Sequence, residues 1–252
     1  GVRCVFFKVS SQNLYLYVDM GLTLLKLGED GRVPLVDFTM EGANRRSLRR
    51  EVSRASKAGC SFEVLPVEKV QSLIPQLRAI SDAWLRQKRG EEKGFALGFF
   101  DEAYLSRLPV AVVRQDDEIM AFSNLWLTGE EVSPDMIRHI PEAPPSTMDF
   151  LITNLMLWGQ AEGYQWFNLG GAPLSGLKDR TLAPLWHRLG TRLYRHGEHF
   201  YNFEGLRQFK EKFNPVWEPK YLAIPTGWHL PLTLLDLTRL IGKNASRDLG
   251  AG

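Results

Sequence analysis

Apolar positions along the chain switch period several times, and each switch predicts an element. Residues 4–9, 14–18 and 23–27 are short runs rich in Val, Leu, Phe and Tyr, separated by Ser-Ser-Gln-Asn and Met-Gly, which reads as three strands. From Asn44, a plausible N-cap, Leu48, Val52 and Ala55 recur at helical spacing up to Gly59. A strand is expected over 61–65. A long helix follows over 67–88, with Val70, Leu73, Ile74, Leu77, Ile80, Ala83 and Trp84 on its apolar side and Pro75 expected to kink or split it. A short helix over 102–108 leads to strands at 110–114 and 119–127, joined as a hairpin across Gln115-Asp116-Asp117-Glu118.

Residues 147–162 read as a helix with Leu151, Leu155 and Trp158 on one face, and 166–169 as a buried strand running into Gly170-Gly171-Ala172-Pro173-Leu174-Ser175-Gly176. The succession of helix, hairpin, helix, strand and glycine loop predicts a mixed α+β (α/β) architecture around a central sheet. No period of 20 to 50 residues marks a solenoid or propeller.

Composition narrows the function classes. With 252 residues, 44% hydrophobic and 24% charged, the chain is an ordinary globular one. No stretch of about 18 apolar residues is free of charge, so a soluble chain is expected. Two cysteines, Cys4 and Cys60, suit a reducing compartment and two buried, inert thiols. The net charge of +2 is unevenly spread. Six cations between Arg45 and Lys57 (Arg45, Arg46, Arg49, Arg50, Arg54 and Lys57) face the single carboxylate of Glu51, so the rest of the chain is net acidic. A second basic stretch holds Lys178, Arg180, Arg188, Arg192 and Arg195. Both stretches could meet polyanions.

Three places could carry chemistry. The 170–176 loop either presents backbone N–H groups to a negative ligand or is a tight turn that needs small residues. It is not GxGxxG, and GxxxxGK[ST] is absent, so dinucleotide and P-loop readings fail. Positions 201–221 interleave Tyr201, Phe203, Phe209, Phe213, Trp217 and Tyr221 with Arg207, Lys210, Lys212 and Lys220. The run is either a nucleotide or phosphate surface or an amphipathic helix over 205–213 with its charges in water. Asp149 opens a helix and suits the helix dipole on its own. His196-x-x-His199 has no carboxylate at motif spacing and does not make a metal site.

Taken together, STMDFL (146–151), GYQWFNLGGAPLSGL (163–177) and RHGEHFYNFEGLRQFKEKFNPVWEPKYLA (195–223) resemble the catalytic C-terminal region of the bacterial phosphatidylglycerol aminoacyltransferases. VFFKVS, LYLYVDMGLTLLKLGE and NRRSLRREVSRASKAG extend the resemblance over nearly the whole chain. These proteins are also called multiple peptide resistance factors, or lysyl- and alanyl-phosphatidylglycerol synthases. The resemblance implies tandem acetyltransferase-like (GNAT-type) folds. Residues 1–40 would be the remainder of the first, 41–60 a basic connecting helix and 61–223 the second, catalytic fold. In the remaining 224–252, Leu232, Leu235 and Leu240 suggest an amphipathic helix, either at a bilayer surface or packed on its own domain, and a tail.

It further implies transfer of an aminoacyl group from aminoacyl-tRNA to the glycerol hydroxyl of phosphatidylglycerol. That reaction lowers membrane negative charge and protects against cationic antimicrobial peptides. The region would lie on the cytoplasmic face of the bacterial inner membrane, attached to an N-terminal transmembrane portion. Asp149 would draw the hydroxyl proton or hold the substrate α-ammonium, with Lys212 opposing the developing negative charge and Glu204 and Glu211 as alternative acids. Gly170, Gly171 and Ser175 would line the substrate site. Tyr201, Arg207 and Lys210 would bind lipid phosphate or the tRNA terminus. Arg45, Arg46, Arg49, Arg50, Arg54, Lys57, Arg180 and Arg188 would bind tRNA phosphates.

No metal is required, and without an Arg/Gln-x-x-Gly-x-Gly/Ala loop coenzyme A is not expected. The second glycine at Gly171 departs from a Gly-Met-Ala-Pro-Leu-Ser pattern and bears on amino-acid specificity. Two rival readings stand beside this one: an aminoacyl-tRNA-dependent transferase acting on a peptide or peptidoglycan precursor, and a non-catalytic RNA- or membrane-binding module. The leading reading requires the acid at 149, the bend after 169 and the lysine-bearing segment near 212 to share one cavity.

Overall fold

The structure, a computed structural model, describes residues 4–88, 98–176 and 203–225, together with positions 233, 236, 237 and 240. The chain divides into two compact units, one made of Gly1–Pro34 with Asn168–Asp236, the other of Leu35–Phe167 with Leu237–Gly252.

In the first unit β1 (Phe6–Ser10) is followed by a 3-10 turn (Ser11–Asn13), α1 (Leu14–Asp19) and the long β2 (Leu22–Pro34). Residues 14–18 are therefore helical, not the expected strand. The polar turn at Ser11–Asn13 winds the chain into this short helix, and Gly21, at φ +73°, stops it. Tyr15, Leu16, Val18 and Met20 remain exposed.

The second unit begins with α2 (Arg46–Lys57), which a 3-10 turn at Ala43–Arg45 precedes, so Asn44 lies inside that turn and does not cap the helix. Leu48 and Ala55 are buried, and five of the six cations of the run point outward. After β3 (Ser61–Leu65), α3 (Val67–Lys88) runs unbroken through Pro75. α4 (Glu102–Leu105) leads to the hairpin of β4 (Val110–Gln115) and β5 (Glu118–Leu127). Asp116 and Asp117 both take positive φ, the conformation a two-residue hairpin turn of this hand requires.

β6 (Glu131–His139) is a strand that Pro134 hides from sequence reading. The proline faces Leu125 where the β5–β6 register slips, and that irregularity absorbs its missing N–H. α5 (Thr147–Ala161) then crosses over, so that β7 (Trp166–Pro173) runs parallel to β6 at Glu131↔Trp166 and Val132↔Phe167. β3, β4, β5 and β6 pair antiparallel in sequence order. β4 is buried on both faces: Val110 and Val112 pack in a core with Val70, Ile74, Leu77, Ile80 and Phe122, while Ala111 and Val113 face the other way.

The chain returns to the first unit in the second half of β7. α6 (Phe203–Glu211) and β8 (Val216–Pro225) complete it. β8 lies between β1 and β2 and is antiparallel to both, with pairs from Leu22↔Pro225 to Arg32↔Val216. Sequence reading gave β8 no strand of its own because Pro219 and the charged residues on either side of it, Glu218 and Lys220, mask it. The class is mixed α+β, as the resemblance implies. Cys60 is buried, but Cys4 is exposed, contrary to expectation. Among the described residues no helix is long and apolar enough to cross a membrane.

Candidate functional site

The site is built where β7 ends. The Asn168 side chain accepts a hydrogen bond from the Gly170 N–H at 2.8 Å, which starts a turn with Gly170 at φ +76°. Leu174, at φ +60°, donates its N–H to the Leu27 carbonyl at 2.7 Å and pins the loop to β2. Gly28 allows that approach. A Cβ there would stand 2.5 Å from the Ala172 carbonyl oxygen and 2.9 Å from the Leu174 nitrogen.

Against this loop α6 places Lys210, a lysine only 6% exposed, whose Nζ donates to the Gly171 carbonyl at 2.7 Å. Burial lowers its pKa to about 8, even though Asp30 nearby favours the ammonium, and Lys8 adds to the lowering. Asp30, itself buried, lies 4.0 Å from Lys8 Nζ and 3.9 Å from Lys220 Nζ. Three ammonium groups thus gather about Asp30 from β1, β8 and α6, one of which, Lys220, also lies 3.5 Å from Glu218. Gly171 borders them: a Cβ at this position would come 3.1 Å from Asp30 Oδ1 and 3.6 Å from Lys8 Nζ. The excess positive charge beside bare backbone suits a phosphate or a developing oxyanion.

A second charged group braces the loop from the same unit. Glu29 accepts from Lys26 at 2.7 Å and from Arg207, while the buried Ser175 hydroxyl lies 3.4 Å away. Burial pushes the Glu29 carboxyl up, but hydrogen bonds from Arg207 and Lys26 outweigh it and hold the carboxyl below the usual carboxylate range. Arg207 also reaches Glu211 at 3.0 Å and stacks 4.2 Å from the Trp217 ring centroid.

Of the residues expected from sequence, the structure brings together Gly170, Gly171, Ser175, Arg207 and Lys210. Lys212 is exposed, with Nζ 4.9 Å from the Phe209 ring centroid, and Glu211 serves Arg207. Glu204 lies in α6. Tyr201, Arg180, Arg188 and the two histidines of the 196–199 pair lie outside the described residues.

Asp149 belongs to the other unit, buried in the first turn of α5. On α2, Arg46, Arg49, Arg50, Arg54 and Lys57 are exposed, Arg49 being engaged by the carbonyls of Met40 and Gly42, and in the turn before α2 half-buried Arg45 lies over Phe38. Among the described residues no group of three His, Cys, Asp or Glu side chains could hold a metal ion. Sequence reading missed Lys8, Lys26, Glu29 and Asp30, and it placed Lys220 in the aromatic-cationic run without its partner. Adjacent acids at 29 and 30, set inside a strand between Gly28 and Gly31, were the available signal, since charges are sparse in strand interiors unless paired.

Comparison with known proteins places the chain. The family model described as phosphatidylglycerol lysyltransferase, C-terminal, matches residues 1–224. The chain is 36% identical to the phosphatidylglycerol lysyltransferases of Staphylococcus xylosus and Bacillus subtilis (strain 168), in each case over 97% of this chain and 29% of the relative. It therefore spans under a third of the length of the curated relatives it matches. Among solved structures it is similar to L-PGS from Bacillus licheniformis, at 38% identity and TM-score 0.80 over 95% of this chain and 73% of that one. A C-terminal DUF2156 domain from Agrobacterium fabrum gives 40% identity and TM-score 0.85 over 97% and 75%. FemX, 10% identical at TM-score 0.59 over 92% and 74%, shares the fold. The motifs that span the loop after β7 and the segment through α6 and β8 thus lie within a match covering most of the molecule, and the chain belongs to the family of phosphatidylglycerol lysyltransferase C-terminal regions.

Proposed function

We infer that this region transfers a lysyl group from lysyl-tRNA to a glycerol hydroxyl of phosphatidylglycerol, as part of a longer protein anchored in the bacterial inner membrane with this region on its cytoplasmic side. The hydroxyl oxygen of the lipid attacks the ester carbonyl of the aminoacyl-adenosine end. The bond to the ribose oxygen breaks, and the hydroxyl proton ends on that oxygen, so the step needs no external reactant. Its demands are a proton acceptor, a donor to the oxyanion and two held substrates. The product keeps its phosphate and gains two ammonium groups, which reverses the head-group charge and lowers the negative charge that draws cationic peptides to the surface.

The observation that carries this reading is the buried Lys210 ammonium against the Gly171 carbonyl, flanked by Lys8 and Lys220. Such a cluster repels a lysyl side chain and attracts phosphate. It is therefore assigned to the lipid phosphodiester or the tRNA terminus, and the amino-acid end to an acidic group, for which Asp149 is proposed. The exposed cations of α2 are assigned to tRNA phosphates. The relatives' name favours lysine over alanine.

The test is transfer of radiolabel from lysyl-tRNA, with alanyl-tRNA in parallel, to vesicles containing phosphatidylglycerol, using the full-length protein and its Lys210→Met and Asp149→Asn variants. Label should enter the organic phase with wild type and fall sharply with both variants. Label that stays in water with active protein, or that moves to a peptide acceptor, overturns the reading.

A further inference from the structure

Glu51 is the lone acid on the basic helix, and it does not face solvent alone. Its Oε2 accepts a hydrogen bond from the Ser146 hydroxyl, while Arg54 lies 3.0 Å from Oε2 and Arg50 lies 3.4 Å from Oε1. Ser146 is the residue before α5, held at φ +76°, a left-handed conformation uncommon for serine, and its side chain caps no helix N–H. Its carbonyl accepts from the Phe150 N–H at 2.9 Å, which closes the first turn of α5, and Asp149 sits in that turn. The Thr147 hydroxyl is spent locally on the Pro144 carbonyl at 2.6 Å. The Ser146–Glu51 bond thus ties the arginine helix to the turn that carries the acid.

We propose that Glu51 is a positioning residue for Asp149, acting through Ser146 and held in place by Arg50 and Arg54. The proposal rests on the catalytic reading of Asp149 given above. Holding the carboxylate between two arginines of α2 and the hydroxyl of Ser146, the residue that leads into α5, fixes the entry angle of α5, and with it the direction of the Asp149 carboxylate. The Ser146 hydroxyl is also the leading cause of the Glu51 carboxyl lying below its usual range, with Arg54 and Arg50 contributing. A glutamate here opposes what α2 needs to bind a polyanion, which argues for a role other than binding.

The test is a double-mutant cycle in the full-length protein with Glu51→Ala, Ser146→Ala and both together, alongside Glu51→Gln. The glutamine keeps an acceptor for the Ser146 hydroxyl and removes the charge. Each alanine variant should lower kcat about tenfold, as expected for a misplaced catalytic group, with KM for aminoacyl-tRNA unchanged or lower. The pair should be no worse than either single change. Glu51→Gln should recover most of the kcat while showing the same KM as Glu51→Ala.

Hydrogen exchange at the amides of residues 147–150, read with no substrate present, should quicken equally in both alanine variants. Additive losses of kcat, an unchanged kcat in Glu51→Ala, or unaltered exchange overturns the proposal. If Asp149→Asn itself keeps full turnover, the catalytic reading fails, and the exchange result still decides whether the tie exists.

Discussion

Lys210 and Gly171 are joined by one hydrogen bond, from a nearly buried ammonium to a backbone carbonyl at 2.7 Å. Because its pKa lies near 8 rather than the usual 10.5, the unfolded chain binds the extra proton between those two values. Stability relative to Lys210→Met should therefore be flat below about pH 8 and rise toward pH 10.5, by on the order of 3 kcal/mol. Urea titrations of the two proteins at stepped pH measure this. If the ammonium form serves the reaction, kcat/KM should fall as pH rises through about 8, and a rise there would show that the neutral amine is the working form.

Gly28→Ala should be among the most damaging single changes in the first unit. The added carbon meets backbone at 2.5 Å, which cannot rotate away, so a loss of about 3 kcal/mol or more is expected. Gly21→Ala is the control: nothing lies within 4 Å and only its positive φ is strained, a cost of about 1 kcal/mol. Equal midpoints in urea would refute the close approach of β2 to the loop.

Arg207→Ala removes one of the two cations on Glu29, the link to Glu211 and the stack on Trp217. A loss of about 2 kcal/mol at neutral pH is expected. The Glu29 carboxyl is depressed in the fold, so its contribution is present above pH 4.5 and fades as pH falls below that value. The variant should show a shallower acid limb in thermal melts between pH 5 and 3. Arg207→Lys should rescue the charge but not the fork that spans two carboxylates.

Cations on α2 should separate into two kinds. Arg46 and Lys57 make no ion pair among the described residues, so, if α2 binds tRNA as proposed, Arg46→Glu and Lys57→Glu should weaken that binding and reduce the slope of log affinity against log salt by about 1 each, without unfolding the protein. Arg49→Ala should instead loosen residues 40–42, whose carbonyls it holds. Filter binding over a salt series, with melting curves for each variant, distinguishes the two.

Elements were legible where period and punctuation agreed. β3, α3 and α5 follow from clean spacing, and the β4–β5 hairpin from its two aspartates. Proline concealed β6 and β8, because a missing N–H argues against a strand unless a bulge or a non-bonding position receives it, and pairing of that sort is a tertiary fact. The 14–18 run failed for a different reason: five apolar residues without alternation fit either period, and the short turn before them decided the outcome.

In the site, α6 and the glycine loop announced themselves as a motif. Their partners Glu29 and Asp30 did not, since they come from a strand some 180 residues earlier, and no local pattern encodes a pairing across that distance. Two lysines at positions 210 and 212 share one helix, and burial alone tells them apart.

The antiparallel partnership of β2 with β8 has a temporal side. Leu22 leaves the ribosome long before Pro225, its opposite number, exists. At roughly 5–20 residues per second, the nascent segment waits on the order of ten seconds or longer with an unmated edge. The lysine cluster is thus complete only after α6 and β8 have been made, and a product ending before α6 would possess the arginine helix yet lack Lys210 and Lys220.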